Sequence, residues 1–113
     1  MGVDLTLMPV LMRGGWLCHE MIEAPRDYDL FDLIRAAHPK EVGEPVHCHL
    51  AQDDDGNSTY GERTDTPYGQ PLTWLPAGDL YKAFIGFDDR KARAIRSFLL
   101  EMGRDWPIVL YWH

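Results

Sequence analysis

The sequence predicts an α+β fold: a small antiparallel or mixed sheet that opens with an N-terminal β-hairpin and packs against two or three helices. Three observations carry this prediction. Two apolar runs, residues 3–12 and 16–23, flank Arg13-Gly14-Gly15, where glycines suit a tight turn. Residues 88–102 repeat their apolar positions with a helical period, and residues 108–112 form a dense β-branched and aromatic run. The strands and helices do not alternate regularly, which separates this order from an α/β fold.

In the N-terminal hairpin a two-residue turn at Gly14-Gly15 sets Leu11 opposite Cys18 and Leu7 opposite Ile22. Leu5, Leu7, Leu11, Cys18 and Ile22 then share the core face. The other face carries Thr6, Met8, Val10, Met12, Leu17, His19 and Met21, and being apolar too it needs cover from a helix or a partner. Asp27 and Asp29 open an amphipathic helix with Leu30, Phe31, Leu33, Ile34 and Ala37 at helical spacing, which ends near His38 because Pro39 follows. Residues 46–52 alternate as a half-buried strand, with Val46, Cys48 and Leu50 on one side and His47, His49 and Ala51 on the other.

A turn at residues 53–57 follows, and residues 51–71 read as a long loop or as an irregular return strand through 59–63. Pro76 leads into a brief helix over 77–84, closed by Gly86, in which Leu80, Ala83 and Phe84 share a face. Asp88 or Asp89 caps the helix of 88–102, whose buried stripe is Ala92, Ile95, Phe98, Leu99 and Met102, and Gly103 ends it. The final strand follows Pro107.

A chain of 113 residues buries about two-thirds of its unfolded surface in one core, so one domain over residues 1–113 is expected. The 45% apolar and 26% charged fractions exclude a disordered chain, and two cysteines exclude a disulfide scaffold. No apolar run reaches the roughly 18 residues a membrane span needs, and MGVDLTLMPV has no signal-peptide features, so a cytoplasmic protein is expected. With 11 basic and 18 acidic side chains the net charge is −7, which argues against direct nucleic-acid binding. Residues 1–87 hold 6 basic and 14 acidic side chains, and residues 88–113 hold 5 and 4. The basic cluster Arg90, Lys91, Arg93 and Arg96 reads as a solvated helix face before it reads as a phosphate site.

The chemistry-bearing residues are Cys18-His19 and His47-Cys48-His49. Two histidines at i and i+2 of one strand point to the same side, so His19, His47 and His49 form the candidate metal set, for zinc or another transition metal. Cys18 and Cys48 fall on the core side and are expected to be reduced, buried thiols and not a disulfide. Asp53-Asp54-Asp55 fails as a calcium loop, because Ser58 and Thr64 stand where glycine and a carboxylate are required. Asp29 and Asp32 lie three apart on a helix, and Asp27 suits a helix N-terminus, without any catalytic role. Met1-Gly2-Val3-Asp4-Leu5-Thr6 satisfies the loose myristoylation pattern, but Leu5 and Leu7 are better used as a buried strand.

Met1-Gly2-Val3-Asp4, Gly15-Trp16, Arg26-Asp27-Tyr28-Asp29-Leu30-Phe31, Tyr60-Gly61, Tyr68-Gly69 and Leu72-Thr73-Trp74-Leu75 follow one another in this order. The chain thereby resembles, over residues 1–75, a loose family of small uncharacterised phage and prophage proteins. Members open with a cysteine and a histidine where this chain has Val3 and Thr6. The resemblance implies phage or prophage origin, hence the host cytoplasm, and carries no activity. The expected function is non-catalytic binding of a host or phage protein, as an inhibitor or a nucleic-acid mimic, with a homodimer as one form of self-contact. The expected contact residues are Met8, Val10, Met12, Leu17 and Met21. The alternative is a metal-binding module or metal-dependent hydrolase at His19, His47 and His49.

Overall fold

A strand with apolar side chains on both sides must be covered on both sides, and β1 (Leu5–Pro9) is buried along its whole length. The computed structural model describes residues 2–11, 15–18, 20–52 and 58–113, with residues 49–52 and 58–60 described by their backbone alone. After β1 come β2 (Ile22–Glu23), α1 (Tyr28–Ala36), β3 (Lys40–Glu41), β4 (Val46–Gln52) and β5 (Ser58–Arg63). The chain continues through β6 (Thr73–Pro76), α2 (Ala77–Phe84), α3 (Arg90–Met102) and β7 (Pro107–Trp112). The fold is α+β, with an antiparallel sheet in the order β2-β1-β7-β6-β3 and a separate β4–β5 ribbon. No helix among the described residues is long and apolar enough to cross a membrane.

The sheet is the middle of three layers. Leu5, Leu7, Leu75, Ile108, Leu110 and Trp112 face the helices, where Phe31, Ile34, Leu80, Phe84, Ile95 and Leu99 meet them in the larger core. Met8, Val10, Val109 and Tyr111 face the other way and form a second core with Cys18, Val46, Cys48 and Leu72. The ribbon is therefore the cover that the apolar Met8 and Val10 face requires, a role expected of a helix or a partner. The C-terminal run became the central strand: β7 pairs β1 from Leu5↔Trp112 to Pro9↔Ile108 and β6 from Thr73↔Leu110 to Pro76↔Pro107.

The N-terminal hairpin is shorter than its sequence suggests. Leu7↔Ile22 pairs as expected, but β2 has only two residues, and of the predicted Arg13-Gly14-Gly15 turn residues 13 and 14 lie outside the described residues. Leu11 does not oppose Cys18: its N–H donates to Leu17 O at 2.7 Å, and Leu11 is 50% exposed. Residues 16–18 leave β1 for β4, where His47 N–H donates to Trp16 O and Cys18 N–H to His47 O, both at 2.8 Å. This switch of partner moves Cys18 from the predicted Leu5–Leu7 face to the opposite one.

The helix termini obey local chemistry. The Asp27 carboxylate accepts from Asp29 N–H at 3.0 Å and Leu30 N–H at 3.3 Å, and that of Asp89 accepts from Ala92 N–H at 3.2 Å. Gly103 ends α3 at a φ of 94°, a conformation only glycine adopts cheaply. Residues 59–63 form a return strand and not a loop, as part of β5, whereas the short β3 and β6 have no periodicity in the sequence.

Candidate functional site

The predicted residues do not assemble into one site. Met8 and Val10 are buried in the second core and so are closed to a partner by the β4–β5 ribbon. Leu17 is half-buried and forms the bridge to His47, Met21 is 46% exposed, and Met12 lies outside the described residues. Of the metal candidates, His19 and the His49 side chain lie outside the described residues. The His47 side chain stands half-exposed on β4, its Nε2 3.6 Å from Glu62 Oε1 on the paired strand. The β4–β5 pairing shifts register between Cys48 and Ala51. Among the described residues no group of three or more His, Cys, Asp or Glu side chains gathers around a point.

Two features that suggest chemistry prove structural. Arg96, the innermost member of the basic cluster, donates to Phe84 O at 2.7 Å and to Phe87 O, and its guanidinium lies 3.6 Å from Asp88. It ties the C-terminal end of α2 to α3, leaving Arg90, Lys91 and Arg93 as the solvated face. At the other end of the sheet Thr6 Oγ1 and His113 Nε2 are 2.9 Å apart, with the imidazole stacked 5.4 Å from the Tyr111 ring. A hydroxyl beside an imidazole can be a nucleophile and its base. Here Thr6 is buried, and both carboxylate oxygens of the adjacent Asp4 accept from Arg26, at 2.8 and 2.7 Å. Arg26 lowers the pKa of that carboxylate, with a smaller contribution in the same direction from His113.

A concavity lies between α2 and α3. It encloses about 570 Å³, within the range of ligand-sized clefts, and Tyr81, Ile85, Leu99 and Leu100 give it an apolar wall. Asp79, Lys82 and Arg104 rim it. Leu99 is buried, but Ile85 is 56% and Leu100 65% exposed, so the wall offers two large apolar side chains to an incoming surface. A shallower depression shares Asp79 and Lys82 and adds Leu33, another exposed leucine, from α1.

The groove is held at both ends. Ala77 N–H donates to Trp106 O at 2.8 Å and Gly78 N–H to Arg104 O at 2.9 Å. A Cβ on Gly78 would stand 3.2 Å from that same Arg104 oxygen, so glycine allows the close approach. Arg96 clamps the far end through the Phe84 and Phe87 carbonyls. Apolar anchors on a rigid frame, with one carboxylate and two cations to orient what binds, suit recognition of an amphipathic protein surface.

Sequence reasoning missed this groove, although Leu100 signals it. Leu100 falls off the predicted stripe of α3 and places an apolar side chain on a polar face. Scans against protein-family profiles, curated proteins and solved structures found no match to this chain.

Proposed function

We propose that the chain is a non-catalytic protein-binding module, a phage or prophage accessory protein of the host cytoplasm, and that it engages its partner through the α2–α3 groove. The observation that carries this reading is the exposure of Ile85 and Leu100 beside the buried Leu99, inside a charged rim. Burying each of these half-exposed side chains supplies on the order of 1 kcal/mol of association free energy. Lys82 and Arg104 favour a partner with acidic residues beside its apolar anchors. The test compares the parent chain with the double variant Ile85→Asp/Leu100→Asp. Both should fold alike by circular dichroism and melting. A host protein retained by the immobilised parent, and by Met21→Asp, should be lost from the double variant. Equal retention by all three refutes the groove as the binding surface.

The metal reading keeps one observation in its favour, the approach of His47 to Glu62 across β4 and β5 at 3.6 Å. On that reading, protein purified without an affinity tag carries near-stoichiometric metal that His47→Ala removes. Metal-free protein refutes it.

A further inference from the structure

Leu17 and His47 form a parallel bridge, fixed by His47 N–H donating to Trp16 O and Cys18 N–H donating to His47 O. One residue further along both strands, Cys18 lies beside Cys48. Side-by-side residues of a parallel pair point to the same side of the sheet. Both cysteines do so here: each is 1% exposed, and both enter the second core. Neighbouring strands lie about 4.8 Å apart, inside the roughly 4.4–6.8 Å Cα separation that a disulfide spans. The two thiols are free, and each donates only weakly to a backbone carbonyl, Cys18 to Met8 O at 3.5 Å and Cys48 to Val46 O at 3.9 Å.

We propose that Cys18 and Cys48 form a modification site, a dithiol that a disulfide oxidant converts into an intramolecular disulfide tying the β4–β5 ribbon to residues 16–18. The pair is quiet at rest. Burial, with Cys48 close by, pushes the Cys18 thiol up to about 12, and burial also raises that of Cys48, where Arg63 opposes the rise. Opening of the ribbon exposes Cys48 to water, where its proton can leave. Its thiolate attacks one sulfur of the oxidant RS–SR and expels RS⁻. The Cys18 thiolate then attacks the Cys48 sulfur of the mixed disulfide and expels the second RS⁻. The protein loses two protons and two electrons, and the reagent leaves as two RSH. The bridge closes a loop of about 30 residues and restricts the unfolded chain accordingly.

The test is to incubate the reduced, full chain with oxidised glutathione in the absence of denaturant. The expected product weighs two hydrogens less, carries no glutathione, keeps its hydrodynamic size and has no thiol left to titrate after unfolding. Its Tm should rise by about 10 °C and return on treatment with dithiothreitol. Cys18→Ala and Cys48→Ala should show no such rise under the same oxidant. The proposal is overturned if the thiols stay reduced in the folded chain, if glutathione adducts or linked dimers are the products, or if the oxidised chain melts no higher. A rise of the same size in either variant also overturns it.

Discussion

Arg96 shows how a charge that reads as surface decoration holds two helices together. Its acceptors are Phe84 O, at the end of α2, and Phe87 O, in the connection to α3, and its side chain is largely buried while its ionic partner Asp88 is open to water. Arg96→Ala should therefore cost about 2 kcal/mol, because two carbonyls lose a charged donor. Asp88→Ala should cost less than about 0.5 kcal/mol, and urea denaturation of both variants checks the contrast. Asp4 makes a different prediction. Arg26 lowers its pKa below the ordinary 3.8 in the folded chain, so its contribution is fully present above that pH. The contribution fades as pH falls through the lowered value. Asp4→Asn should flatten the acid limb of a stability-versus-pH curve, and high salt should do the same to the parent. Asp27 and Gly103, and Asp89 as one of two candidates with Asp88, could be named from sequence because each acts on N–H groups or backbone within a few residues. Arg96 could not, since its acceptors stand 12 and 9 residues away across a turn.

At the scale of elements, the long periodic segments were legible and the short paired ones were not. The helix over 77–84 and the strand 46–52 emerge from spacing alone, as does the long helix, which starts at Arg90 where the spacing allowed 88. β3 has two residues and β6 has four, too few to show a period; β6 is held by its pairing with β7, and β3 by its pairing with β6. The two-faced apolar character of β1 was visible, but its cover was not, because the ribbon of β4 and β5 lies some forty residues and more beyond β1 in sequence and docks through residues 16–18 and Leu72. This placement separates two substitutions that a solvent-facing Met8 would have made alike. Met8→Asp buries a carboxylate among apolar neighbours and should cost about 4 kcal/mol or more, a large part of a total stability of roughly 5–15 kcal/mol. Met21→Asp, at a half-exposed site, should leave the melting curve close to that of the parent.

For the molecule as a whole, the decisive feature is that the two ends of the chain meet at the centre of the sheet. Asp4 N–H donates to His113 O at 2.7 Å and His113 N–H to Asp4 O at 2.9 Å, extending the β1–β7 ladder. β7 has a neighbour on each side and a packed layer on each face, so its amides should exchange slowest with deuterated solvent. Those of β2 and of the ribbon should exchange first, as measured by hydrogen exchange under native conditions. A chain cut after Trp106 loses the strand that joins both halves of the sheet and should show no cooperative unfolding transition.

The α+β class, the helices and their caps, and the burial of Cys48 follow from composition, periodicity and local hydrogen bonding, which operate over a few residues. Which face each strand residue occupies, the pairing of β7 with β1 and β6, the adjacency of Cys18 and Cys48 and the groove beside Leu100 depend on contacts between distant segments. Sequence spacing carries no such information, because a strand with two apolar faces can be turned either way until a neighbouring layer packs against it.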